Sequence, residues 1–307
     1  MTMPRRHIQG QVAMLTRRCV DRCFFLRPDD TINAIAAYEF ARAALRNSID
    51  IHAVMVMSNH PHVIVTDRIA RRSDFMRDAM SGIARARNRD LNRRGYFWDA
   101  QSYGDTVLLN RDSVEEKILY VWLNPVIEGL VERVEDWPGF KIMPDDWGKP
   151  MTIRRPGSFY GRRSSETVTI IPKPPPGYEH LRQEEVAERF NKLIREAEDR
   201  ILEERKKENK RVLGAKKVLA INPFSHPKTK APMGKLNPRF ACRDKELMQR
   251  AIADYKAFLE EYKRKRKEWA TGKKVKFPCG TLWLRKNAGV KCCGPPDDEP
   301  GLATTVG

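Results

Sequence analysis

Two histidines stand at i and i+2 in Asn59-His60-Pro61-His62. On an extended backbone such residues point to one side, with Cα atoms about 6–7 Å apart, so both imidazoles can converge on a single cation. Turn histidines with satisfied hydrogen bonds would give the same pattern, and His7, His52, His180 and His226 have no partner at this spacing. A second candidate lies in Tyr120-Val121-Trp122-Leu123-Asn124-Pro125-Val126, where a phenol and a carboxamide at i and i+4 share one face of a helix. Tyrosine can serve as a covalent nucleophile, although a core tyrosine fits the same spacing. Pro125 lacks an N–H and biases Asn124 away from the helical region, which predicts a kink there. Of the 6 cysteines, Cys19 and Cys23 have no second pair at zinc-finger spacing to join them, and Cys242, Cys279, Cys292 and Cys293 lie far along the chain. Structural zinc usually takes two spaced pairs, so free thiols in a reducing compartment are expected.

The elements that would position these groups can be read from periodicity. Gln11–Thr16 and 23–26 read as short strands. Asp30-Thr31 caps a helix through Leu45, with Ile32, Ile35, Ala36, Phe40, Ala43 and Ala44 near one face. Residues 51–57 and 62–65, rich in Val, Ile and Met, read as two strands joined at Ser58-Asn59-His60-Pro61. A long Arg-studded helix follows over about 73–92, then a strand at 106–109. Ser113-Val114-Glu115-Glu116 is a capping box that opens the helix carrying Tyr120. The order β-β-α-β-β-α-β-α predicts an α+β fold, an antiparallel sheet with helices packed on it.

The chain has 307 residues, 41% of them hydrophobic and 32% charged, with a formal net charge of +18. So basic a chain favours polyanions, because each neutralised phosphate releases counterions. No apolar run approaches the roughly 18 residues of a membrane span, and the N-terminal residues lead into no secretory signal. A cytoplasmic protein with no membrane partner is therefore expected. Residues 1–150 hold 22 basic and 20 acidic side chains, and residues 151–307 hold 36 and 20. The second half is Lys-rich and mainly helical, with apolar residues at helix spacing from Val186 to Leu202 and from Leu247 to Tyr262. These features divide the chain into a domain over 1–149, a Pro/Gly-rich linker over 150–178, a basic accessory region over 179–290 and a disordered tail over 291–307.

The two candidate motifs together, some sixty residues apart, resemble those of the HUH single-strand endonuclease superfamily. More narrowly they are similar to the REP-associated, insertion-sequence-type tyrosine transposases. The likeness covers about residues 8–140. It is carried by the block from His52 to Val65, by Leu123-Asn124-Pro125-Val126-Ile127-Glu128-Gly129-Leu130-Val131, and by Asp21-Arg22 and Phe97-Trp98. Two positions depart from the family pattern: Pro61 stands where bulky apolar residues are frequent, and Ile127-Glu128-Gly129 replaces the usual Arg-Ala-Gly, which removes one helix contact to DNA. The resemblance implies a ferredoxin-like nuclease domain, in a bacterial, nucleoid-associated protein that works as a monomer or a homodimer. It further implies that His60, His62 and Asn124 hold Mg²⁺ or Mn²⁺, and that Tyr120 attacks the scissile phosphate of single-stranded or hairpin DNA. The product would be a 5′-phosphotyrosine and a free 3′ hydroxyl. A domesticated, non-cutting nucleic-acid-binding protein and a hydrolytic metallonuclease remain as alternatives.

For DNA contacts the sequence offers Arg68, Arg71, Arg72, Arg77, Arg85, Arg87, Arg93 and Arg94, followed by Tyr96 and Trp98, with Arg17 and Arg18 near the N-terminus. Arginines track a phosphate backbone and aromatic faces stack unpaired bases, although a solvated helix beside an aromatic core cluster has the same composition. The cationic run 263–267 and Lys273-Lys274 would add sequence-independent affinity.

Overall fold

Strand β1 (Gln11–Thr16) is covered on both faces: Ala13 and Leu15 enter one apolar core and Val12 the other, as the two-residue side-chain period requires. The computed structural model describes residues 4–157, 160–161, 164–229 and 238–294. After β1 come α1 (Asp30–Asn47), β2 (Ile49–Val56), β3 (Pro61–Asp67), α2 (Arg72–Asp90) and β4 (Gly104–Leu108), the ferredoxin-like order βαββαβ. The strands lie side by side as β2-β3-β1-β4, all antiparallel, and Thr16 at the end of β1 pairs with both His62 and Gly104. Helices α1 and α2 cover one face of the sheet, and α3 (Arg111–Ile127) covers the other. The short β5 (Lys141–Ile142) extends the sheet beyond β2.

Strand β2 changes face midway. Ile49 and Ile51 join the α1/α2 core, but so do Val54 and Val56, while Ala53 and Met55 face α3. The register with β3 shifts between Ile51 and Ala53, so His52 is the extra residue of a bulge and the alternation inverts across it. Its ring is buried between the Lys173 carbonyl, 2.9 Å from Nδ1, and Thr66 Oγ1, 2.7 Å from Nε2.

Several predicted boundaries shift. Asp29, not Asp30, caps α1, its carboxylate accepting the Ile32 N–H at 2.9 Å. The box that opens α3 begins at Asn110, whose side chain accepts the Ser113 N–H while Ser113 Oγ accepts the Asn110 N–H. Helix α3 runs without interruption through Pro125 to Ile127, so Asn124 and Pro125 both lie inside the helix. Residues 23–26 are not a strand. Phe25 and Leu26 are buried in a loop, where the Leu26 N–H bonds to the Ser58 carbonyl.

The segment 150–178 contains an antiparallel pair, β6 (Met151–Arg154) and β7 (Thr167–Ile170). Val168 and Ile170 are buried in the α1/α2 core, and the Tyr38 hydroxyl donates to the Ser165 carbonyl at 2.6 Å, so this stretch packs on α1. Helix α4 (Gln183–Lys207) lies along α3 with Val186, Phe190, Ile194 and Ala197 in the second core. There the Phe190 ring meets Trp122 and Trp147 with centroids 5.8 and 5.3 Å apart. After α5 (Ala215–Ala220), β8 (Phe240–Ala241) adds to the main sheet, parallel to β4. The second half is thus built onto the first. Helix α6 (Lys245–Ala270) carries the run 263–267. Beyond it, β9 (Lys276–Phe277), α7 (Trp283–Ala288) and β10 (Lys291–Cys292) enclose Phe277, Leu284 and Val290. Residues 291–294 of the expected tail are therefore structured, and 295–307 lie outside the described residues. No described helix is long and apolar enough to cross a membrane.

Candidate active site

On β3, Val63 and Val65 face α1 and α2, whereas Ile64 faces α3, and the same alternation turns His62 toward α3. His60, at the head of the strand, follows. The two rings meet at right angles, with centroids 4.6 Å apart and Nε2 atoms 2.9 Å apart. From α3, the Tyr120 ring meets His62 edge-on at 5.6 Å. The i, i+3, i+7 stripe of α3 brings Lys117, Tyr120 and Asn124 along one side, and the Lys117 ammonium lies 5.9 Å from the Tyr120 ring centre. Tyr120 is 39% exposed, open to a substrate, whereas Asn124 is buried and its Oδ1 has no hydrogen-bond partner among the described residues.

Burial holds the His60 pKa well below the ordinary histidine value, helped by neighbouring His62 and Arg18. Burial, with Arg18, lowers His62 to about 4. Both rings are therefore neutral at pH 7, the state a metal ligand requires. Their Nε2 atoms lie 2.9 Å apart, so both imidazoles present the same ring nitrogen to one place. Among the described residues no group of three His, Cys, Asp or Glu could hold a metal. The carboxamide oxygen of Asn124, buried and unpartnered among the described residues, has the chemistry of a further oxygen donor. The residues present thus fit a hard divalent cation.

The predicted DNA contacts separate. Arg72 and Arg87 are corrected to internal residues. Arg72 is 1% exposed and spans buried Asp67 and Asp105, while Arg87 is 2% exposed and binds Asp29, Asp90 and the Phe25 carbonyl. The sheet carboxylates and the α1 cap need counter-charges, and these two arginines supply them. Trp98 is also buried, its indole N–H bonded to the Met80 carbonyl at 2.8 Å, so its face does not meet solvent. Arg77 points outward but is tied to Asp74 and Asp78, and Arg68 lies 3.9 Å from Asp50. Arg71, Arg85 and Arg94 are exposed and make no side-chain ion pair or hydrogen bond among the described residues.

Position along α2 matters as much as exposure. Arg71 sits at the end where its N–H meets Asp67, which pairs with Gln11, at the opposite end of the sheet from His62. The C-terminal end of α2 leads to Arg93, Arg94 and Tyr96, and then to Trp98, which bridges Cys19. The Cys19 N–H in turn bonds to the Asn59 carbonyl, so this end of α2 borders the histidine turn. Tyr96 is 86% exposed there. Arg93 lies 4.2 Å over the Phe25 ring, and Arg17 lies 6.0 Å from the Trp98 ring. Arg18 is exposed two residues past Thr16, the partner of His62.

Two neighbours escaped the sequence reading. Lys117 could have been found as a cation one turn before Tyr120, and Asn59 as a carboxamide next to His60. Lys117 also pairs with Glu116 at 3.0 Å, and Arg243, from the second half, holds the same carboxylate at 2.8 Å.

No protein-family model matches the chain, and no curated protein matches it. Among solved structures, one titled as a REP-associated tyrosine transposase bound to a REP hairpin is similar with a TM-score of 0.38 and 21% identity, covering 48% of this chain and 85% of its own.

Proposed function

We propose that this chain is a metal-dependent tyrosine transposase that cleaves and rejoins single-stranded, hairpin-associated DNA. The observation that carries the reading is the row of rings in which His62 touches both His60 and Tyr120, at 4.6 and 5.6 Å, beside an accessible phenol. A second strand of support is the buried oxygen of Asn124, unpartnered among the described residues, one turn beyond Tyr120. His60, His62 and Asn124 would hold Mg²⁺ or Mn²⁺, which supplies Lewis-acid charge to a scissile phosphate oxygen. Tyr120 Oη forms a bond to phosphorus as the P–O3′ bond breaks. The phenolic proton is released and a proton is taken up by the departing 3′ oxygen. The phosphotyrosine conserves the bond energy, so a second 3′ hydroxyl can reverse the step on a new strand without a nucleotide cofactor.

Arg17, Arg18, Arg93, Arg94 and Tyr96 cluster at the end of the sheet where the histidines lie, and form the rim along which an unpaired strand would reach Tyr120. Arg68, Arg71, Arg77 and Arg85 belong to the opposite layer and would hold flanking DNA through phosphates alone.

The test is incubation of the full chain with Mn²⁺ and labelled single-stranded hairpin DNA, followed by denaturing electrophoresis. A covalent protein–DNA band that disappears in Tyr120→Phe is expected. Cutting without an adduct would establish a hydrolytic nuclease instead, and a shift on native gels without cutting would establish a binding protein.

A further inference from the structure

The side chain of Asn59 stands between the His60 ring and the loop that follows β1. Its Nδ2 lies 3.2 Å from the Arg22 carbonyl oxygen, and its Oδ1 lies 2.6 Å from His60 Nδ1. A carbonyl oxygen can only accept, so the NH₂ end of Asn59 must face Arg22 and its oxygen must face His60. That oxygen can also only accept. His60 Nδ1 therefore carries the ring proton, and Nε2 of the neutral ring presents a bare lone pair. The arrangement is held from both sides. Asp21 and Arg22 adopt left-handed φ values of 51° and 59°, and the Cys19 and Leu26 N–H groups bond to the carbonyls of Asn59 and Ser58.

His62 has the opposite surroundings. Its Nδ1 is buried without a partner among the described residues, and its Nε2 faces His60 Nε2 at 2.9 Å. Since His60 Nε2 bears no proton, that contact is a hydrogen bond only when His62 Nε2 donates. The alternative tautomer would bury an N–H without an acceptor and set two lone pairs against each other.

We propose that Asn59 is a positioning residue that makes the two imidazoles unequal: it presets His60 as a ligand, whereas His62 must change tautomer before both lone pairs can face one divalent cation. In that change His62 Nε2 gives up its proton to water and Nδ1 takes one from water, with no net charge difference. The inference rests on the metal reading above, but the tautomers themselves can be observed without metal.

Long-range ¹H–¹⁵N spectra of the full, metal-free chain are expected to show His60 protonated at Nδ1 and His62 at Nε2. Saturating Mg²⁺ should move His62 to the Nδ1–H form and leave His60 unchanged. Asn59→Ala removes the acceptor and is expected to mix the His60 tautomers and raise the Kd for Mn²⁺ about 10–100-fold. Asn59→Asp keeps the acceptor for His60 Nδ1, although its second oxygen replaces the donor that faced the Arg22 carbonyl, so it should keep the tautomer and bind Mn²⁺ more tightly than Asn59→Ala. His60 protonated at Nε2 in the unaltered chain would overturn the proposal. So would Asn59→Asp weakening Mn²⁺ as much as Asn59→Ala. An unaltered chain with the stated tautomers that takes up no Mn²⁺ would support the role of Asn59 and overturn the function proposed above instead.

Discussion

The Tyr120 ring meets His62 edge-on, with centroids 5.6 Å apart and planes at 81°. One ring comes from a helix and the other from the sheet beneath it, so the contact fixes the phenol relative to the histidine pair. It uses the ring and leaves the hydroxyl to other work. Tyr120→Phe is therefore expected to keep the packing and change stability by less than about 0.5 kcal/mol, as an exposed polar group allows. The covalent DNA adduct should be lost altogether. Thermal melting and the denaturing gel read the two effects separately, and an adduct surviving in this variant would remove Tyr120 from the mechanism.

Much of this was legible from residue order. Composition and periodicity placed His62 on a strand and Tyr120 on a helix, within an antiparallel sheet covered by helices. Three things were not legible, each for a physical reason. The bulge at His52 inverts the faces of β2 through backbone pairing with β3, which no local pattern encodes. The Pro/Gly-rich stretch 150–178 reads as extended chain, yet Val168 and Ile170 gain burial on α1, a tertiary contact that overrides local composition. Arg72 and Arg87 look identical in sequence to their exposed neighbours. Only the fold shows that Asp67, Asp105 and Asp29 lie beneath α2 and demand counter-charges.

Gly82 carries an expected packing effect. A Cβ there would lie 2.0 Å from Glu39 Oε2, and Glu39 is fully buried against α2 with Arg42 as its ion partner. In an open helix Gly→Ala stabilises by about 1 kcal/mol. Here the added methyl must displace a buried carboxylate, and Gly82→Ala is expected to destabilise by about 1–3 kcal/mol. Glu39→Ala in the same chain removes the obstacle. Chemical denaturation of the four-member cycle should then show the two substitutions strongly coupled. A neutral Gly82→Ala would mean that the Glu39 side chain swings aside at no cost.

Acid should weaken the fold through His52. Burial lowers its pKa from 6.5 to about 4, against the opposing pull of the Lys173 carbonyl and Asp50. Because the folded-state value lies below the unfolded one, the contribution is fully present above about pH 6.5. It is lost as pH falls toward 4 and then levels off, about 3 kcal/mol in all. Denaturant midpoints measured from pH 7 to 4 should show this limb. In His52→Gln, whose amide keeps a donor for the Lys173 carbonyl, the limb should flatten; an unchanged slope would assign the loss to other groups, such as His7.

Exposure decides what each arginine of α2 does, and two substitutions separate the roles. Arg72→Met leaves Asp67 and Asp105 buried without their shared counter-ion, which typically costs about 3–5 kcal/mol. Its effect on DNA binding should follow from unfolding alone. Arg85 is exposed and makes no ion pair among the described residues, so Arg85→Ala should leave stability within about 0.5 kcal/mol. If Arg85 meets a phosphate, that substitution reduces the slope of log K against log salt by about 1 and weakens binding equally for all sequences. Titrations at several salt concentrations distinguish the cases. An unchanged slope for Arg85→Ala, together with a reduced one for Arg18→Ala, would confine the DNA path to the rim beside the histidines and leave the exposed face of α2 to solvent.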